Sequence, residues 1–200
     1  MRVLVVYAHP LSDSFAAVLR DTVVKQLRGA GHEVDLCDLY AEGFDPVLTA
    51  EERRAYNTAH PDLTAIEPHV TRLRTAEALV LCFPTWWYGM PAILKGWFDR
   101  VWATGVAFTL PEGGGAIRPA LHNIRKFAVV TTYGSPWWLM NLVLRAPVRA
   151  VLIGGLRRLC AKDCRWMFLA LSNIDGASRA RCARFLRRVE RAMPRFMGRA

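Results

Sequence analysis

Three short runs settle most of what this chain can fold into: Val3–Tyr7, Ala78–Phe83 and Phe127–Thr131 are apolar at nearly every position. A strand with one face in water alternates apolar and polar residues. An unbroken apolar run of five or six is instead the pattern of a strand buried on both faces, as in a parallel sheet covered on each side. Helical periodicity fills the gaps. Phe15, Leu19, Val23 and Leu27 recur every four residues behind candidate caps Ser12, Asp13 and Ser14, and Gly29 and Gly31 close that helix. Ile66, Val70 and Leu73 mark another helix, and Leu94, Phe98 and Val101 a third, which starts after Pro91.

"HEVDLCDLY" (32–40) reads as the second strand and Trp166–Leu171 as the fifth. Residues 41–62 form a loop with a short helix near Thr49–Tyr56, where Thr49 and Glu52 fit a capping box. The Gly-rich "PEGGGAIRP" precedes the fourth strand, an apolar helical stretch follows it, and a basic helix ends the chain. Strands alternating with helices imply right-handed crossovers. The expected fold is therefore α/β: a flavodoxin-like three-layer sandwich with a five-stranded parallel sheet in the order 2-1-3-4-5, in a single domain over 1–200. Ligands of such sheets sit beyond the strand carboxyl ends, at the switch point between strands 1 and 3. The segments placed there are 9–15, 84–89 and 132–138.

The net charge of +10 is unevenly spread. Residues 1–100 carry 10 Lys/Arg against 13 Asp/Glu, and residues 101–200 carry 17 against 4. Much of the excess lies in Arg179, Arg181, Arg184, Arg187, Arg188, Arg191, Arg195 and Arg199, the solvated side of a helix whose Ala180, Ala183, Leu186 and Val189 are expected to face the core. No nucleic-acid motif accompanies them, so nucleic acid is not an expected partner, whereas peripheral contact with an anionic membrane is compatible with this basic half. Trp137–Leu156 is apolar enough to suggest a span. Arg145 and Arg149 near its middle argue for a soluble helix or a subunit contact, since an Arg at a bilayer centre costs about 2.5–3.5 kcal/mol. The N-terminal run lacks signal-peptide features, and five Cys without framework spacing suit free thiols in a reducing cytoplasm.

The three switch-point segments carry a common chemistry. "HPLSDSF" (9–15) has no Gly, so the G-x-G-x-x-G fingerprint is absent; it offers an imidazole, hydroxyls and the free amides of a helix N-terminus, which suit a phosphate. Pro84, Thr85, Trp86, Trp87, Tyr88 and Gly89 offer rings and turn amides. Thr131, Thr132, Tyr133, Gly134 and Ser135 add hydroxyls, a phenol and further amides. Aromatic clusters more often fill cores, but this one ends a central strand and faces two polar loops. A planar ligand with an apolar face and a polar edge fits that set, and an isoalloxazine ring is such a ligand.

"FPTWWYGMPAILKGWFDRVW" (83–102) closely resembles the flavin-binding stretch of the NAD(P)H:quinone oxidoreductase family of the DT-diaphorase type, and "YAHP", "SF" and "TTYGSP" resemble its other flavin loops in order and spacing. The resemblance covers roughly residues 1–135. It implies a bound FAD (or FMN), NAD(P)H as co-substrate, a quinone-like acceptor reduced by two electrons, and a homodimer with its sites at the interface. By position, His9, Ser14 and Phe15 would serve the phosphate and ribityl side. Pro84, Thr85, Trp86, Trp87, Tyr88, Thr131, Thr132, Tyr133 and Gly134 would hold the ring, and Trp87 and Tyr88 would line the cavity used in turn by nicotinamide and quinone. Two departures stand out. Tyr133 replaces a Gly, and the family's charge-stabilising Tyr and His fall on Leu139 and Arg145.

The expected function is a cytoplasmic flavoprotein with ping-pong hydride transfer from NAD(P)H to a quinone or similar electron-poor acceptor, with Tyr133, Trp87 and Tyr88 as the catalytic candidates. No metal is implied. The alternative is a flavodoxin-like regulatory subunit of a membrane transporter, for which the basic half would be the contact surface.

Overall fold

A five-stranded parallel sheet runs through the computed structural model in the order β2-β1-β3-β6-β7, formed by β1 (Arg2–Tyr7), β2 (Glu33–Asp38), β3 (Ala78–Thr85), β6 (Lys126–Tyr133) and β7 (Arg165–Leu171). The structure describes residues 1–58, 61–111 and 115–198, so the centre of the Gly-rich loop and Arg199 lie outside the described residues. A small antiparallel pair, β4 (Phe108–Thr109) with β5 (Arg118–Pro119), brackets that loop. With this pair set aside, the order is the expected 2-1-3-4-5.

Period-two alternation sends successive side chains of the central strands into two separate cores. Leu4, Val6, Leu79, Leu81, Phe127 and Val129 meet α3 (Glu67–Thr75) and α4 (Ala92–Val101). Val3, Val5, Val80, Cys82, Ala128 and Val130 meet α1 (Phe15–Gly29) and α6 (Arg179–Met197). Both faces are covered, which explains why the runs are apolar throughout.

The loop after β2 is tied down. Thr49 caps α2 (Ala50–Ala55) in the expected capping box with Glu52. Arg100 on α4, only 9% exposed, donates to Glu52 Oε1 and to the Asp45 carbonyl. Pro46 lies directly on Gly96 of α4, where any Cβ would collide with its backbone.

Two expectations fail. The stretch after β6 is not one helix. A widened turn over Leu139–Val143 ends at Arg145 and Ala146, whose φ values are 54° and 52°. Then α5 (Pro147–Arg149), a second widened turn over Ala150–Gly155 and a tight turn over Leu156–Leu159 follow. Pro147 is the cause: it lacks an N–H and drives the preceding residue out of the helical region. On α6 the buried stripe is Phe185, Val189, Met193 and Met197. Ala180 is exposed, and Ala183 and Leu186 are only partly covered. Strict i, i+4 spacing of large side chains buries more apolar area than the i, i+3 alanine row, so the helix turns that way.

Candidate functional site

The loops after β3, β6 and β7 enclose a cleft of about 320 Å³ at the carboxyl ends of the strands. Pro84, Thr85, Trp86, Trp87, Tyr88, Thr132, Tyr133 and Gly134 all line it. His9, Ser14, Phe15 and Thr131 are not among its lining residues. Two of these adjoin it: the His9 ring packs 5.6 Å from that of Trp86, and Thr131 Oγ1 lies 3.0 Å from Thr85 Oγ1.

Trp86 and Gly89 exchange backbone hydrogen bonds of 3.1 and 2.9 Å, closing a two-residue hairpin. Trp87 and Tyr88 are its central residues, with φ of 48° and 63°. Turns of this kind usually take Asn-Gly, because both positions need left-handed backbone. Two bulky rings there store about 1–3 kcal/mol of strain each, which is characteristic of ligand clamps rather than of packing turns. Trp87 is 96% exposed. It fills no core.

Across the cleft, Gly134 follows β6 so closely to the loop after β7 that a Cβ there would lie 2.8 Å from Asp175 Oδ2. The two loops are laced together: Asn173 N donates to the Ser135 carbonyl and Ile174 N to that of Tyr133, each at 2.9 Å. Among the described residues, the amides of Trp87, Tyr88, Gly134 and Ser135 have no backbone acceptor, leaving four donors beside the cleft. Tyr133 is 3% exposed, and burial pushes its phenol up to about 12, with the Arg149 guanidinium opposing the rise. The hydroxyl is thus a protonated donor throughout the physiological range.

Below the cleft, Ser14 is engaged as the cap of α1. Its hydroxyl donates to the Leu11 carbonyl at 2.9 Å and accepts from Ala17 N at 3.2 Å. It orders the loop, while the first-turn amides of α1 remain the groups suited to an anion. No acid lies in that first turn.

Ser135, expected from the sequence, also lines the cleft, and so do Met140, Ile174 and Asp175, which the sequence did not place there. Asp175 and Ile174 arrive from β7, whose loop carried no motif; the Asp-Gly turn at 175–176 was the only available sign. Arg145 is exposed and lines a different cavity, so of the two positions that replace the family's Tyr and His, neither borders the cleft. Elsewhere, Cys37, Glu42 and His69 each bring a ligand-type atom within 4.8 Å of the others. Arg72 already bonds Glu42 at 2.6 Å, and burial pushes the Cys37 thiol up to about 12, so this is a hydrogen-bonded packing cluster.

The cleft fits a planar, partly polar ring: aromatic walls, unpaired amides and Gly134 meet at the carboxyl ends of β3 and β6, and the β1 loop adjoins through His9. Comparisons with known proteins place the chain among oxidoreductase-like relatives. An NAD(P)H oxidoreductase of Escherichia coli strain K12, uncharacterized and named YcaK, is 34% identical over 108 residues, 54% of this chain and 55% of that one. NAD(P)H dehydrogenase [quinone] 1 of Cavia porcellus is 35% identical over 127 residues, 54% of this chain and 45% of that one. This chain's match thus spans about half the length of these curated relatives. The solved NAD(P)H:quinone oxidoreductase of Methanothermobacter marburgensis superposes with a TM-score of 0.82 at 28% identity, over 96% of this chain and 97% of that one. A family model described as flavodoxin-like fold matches residues 1–150, and the chain belongs to that family, Flavodoxin_2.

Proposed function

We propose that this chain is a flavin-dependent oxidoreductase that takes reducing equivalents from NAD(P)H and passes two electrons to a quinone or similar electron-poor acceptor. The observation that carries the reading is the strained Trp87-Tyr88 hairpin facing unpaired amides across a cleft at the carboxyl ends of β3 and β6. A bound flavin would supply the hydride chemistry, so no side chain need act as nucleophile.

The residues divide the remaining work. The first-turn amides of α1 and His9 take the phosphate end. Thr85, Trp86, Thr132 and Gly134 flank the ring, with Pro84 and Thr131 supporting them from the strands. Trp87 and Tyr88 cover the reacting face, exclude water and offer one surface to donor and acceptor in turn. The Tyr133 hydroxyl, held protonated, donates to charge that develops on the ring edge. FAD is favoured over FMN because the segment that follows β2, 41–62 in the sequence, is long enough to reach an adenine.

The exposed Trp137, Trp138, Leu142, Val143 and Val151 are the surface we assign to a homodimer contact, since large apolar residues gathered in one segment mark interaction sites. Five free thiols suit the cytoplasm. The reading is tested by measuring NAD(P)H oxidation with menadione as acceptor. Turnover that requires added or retained flavin supports it, and a flavin-loaded protein that oxidises neither NADH nor NADPH defeats it.

A further inference from the structure

Beyond Tyr133 lies a second cavity, of about 380 Å³. Tyr133 lines both spaces, so the two are neighbours across one ring. Its polar lining comes from four separate places: Asn141, Arg149 on α5, Ser172 after β7 and Arg188 on α6. Trp137 and Trp166 form its walls, with the Arg149 guanidinium 5.1 Å over the Trp166 ring.

The charge in this cavity is uncompensated. No carboxylate is among its lining residues, and among the described residues neither Arg149 nor Arg188 is in an ion pair. The adjoining groove adds Arg181, Arg184 and Arg191. Guanidinium groups brought together from two elements repel one another, and an anion between them removes that cost. Their fork geometry matches phosphate and carboxylate oxygens, while the amide of Asn141 and the hydroxyl of Ser172 can add further donors. Trp walls suit the apolar body that carries such a group.

We propose that this cavity is a subsite for a phosphate or carboxylate carried by the small molecule whose reacting ring enters the neighbouring cleft. The proposal rests on the oxidoreductase reading above and adds what that reading lacks, a determinant of substrate choice. One chemistry has two sources here: the diphosphate of the nicotinamide donor, or an acidic substituent on the acceptor.

Inorganic pyrophosphate is the probe. Calorimetric titration of the flavin-loaded protein at low ionic strength should show saturable binding. Arg149→Gln and Arg188→Gln should each weaken it about tenfold or more, as loss of a charge-assisted contact implies. Arg195→Gln removes the same charge from α6 outside the cavity and should leave binding unchanged. Pyrophosphate inhibition competitive with NAD(P)H assigns the site to the donor, and inhibition competitive with an acidic quinone assigns it to the acceptor. Absent binding, or equal weakening by Arg195→Gln, overturns the proposal. The titration needs no turnover, so its failure is separate from a failure of the oxidoreductase reading, which shows as absent flavin or absent NAD(P)H oxidation.

Discussion

At Trp87 and Tyr88, backbone strain and side-chain exposure coincide, and two opposite consequences follow for substitution. Trp87→Ala deletes a ring that touches no core, so its unfolding free energy should stay within about 0.5 kcal/mol of wild type. Turnover of bulky quinones should fall several-fold, since aromatic stacking contributes about 0.5–1.5 kcal/mol. Trp87→Gly relieves the left-handed backbone and should raise stability by about 1 kcal/mol in a denaturant titration. A large loss of stability in either variant would make the hairpin a packing element. Tyr133→Phe keeps the ring and removes only the protonated hydroxyl. Stopped-flow reduction by NAD(P)H should slow by at least about tenfold with flavin content unchanged; wild-type rates would leave Tyr133 to shape alone. The sequence exposed Tyr133 as a departure from its relatives, but it could not tell that Arg149, sixteen positions on, shares its surroundings.

The elements differ in how much they owe to local pattern. The central strands and α1 were legible because burial on both faces and i, i+4 spacing leave one-dimensional signatures. The capping box at Thr49 was legible for the same reason. What α2 packs against was not, because the Arg100–Glu52 contact joins residues 48 apart. That contact has a pH signature. Burial alone would push the Glu52 carboxyl up, but the Thr49 amide and Arg100 outweigh it and hold it below the ordinary range. A carboxyl depressed in the folded state contributes stability above its unfolded value, about 4.3, and loses that contribution as pH falls through its folded value. Glu52→Gln should therefore cost about 1–3 kcal/mol at pH 7, and the difference from wild type should shrink below about pH 4. A difference that is constant with pH would show that the pair is not coupled to folding. The apolar stretch 137–156 reads as helical in sequence because most of its residues are good helix formers. A single Pro outweighs the rest, since a missing N–H and a steric clash cost about 3 kcal/mol in a helix interior. The cleft's third wall was invisible for a related reason: Asp175 reaches it only through sheet order, which places β7 beside β6.

For the whole molecule, the expected state in solution is a homodimer. Trp137, Trp138, Leu142 and Val143 are each more than half exposed, and among the described residues no helix is long and apolar enough to cross a membrane. Light scattering at micromolar concentration should give twice the chain's 22.5 kDa. A monomer would remove the apolar contact from the account. Everything proposed about chemistry depends on one occupant of the cleft beyond β3 and β6. The most direct test is to purify the protein, record its visible spectrum, release the bound small molecule by heat and weigh it. The account predicts yellow protein with about one flavin per chain, identified by mass as FAD or FMN. Colourless protein that also fails to take up added FAD and FMN would contradict it.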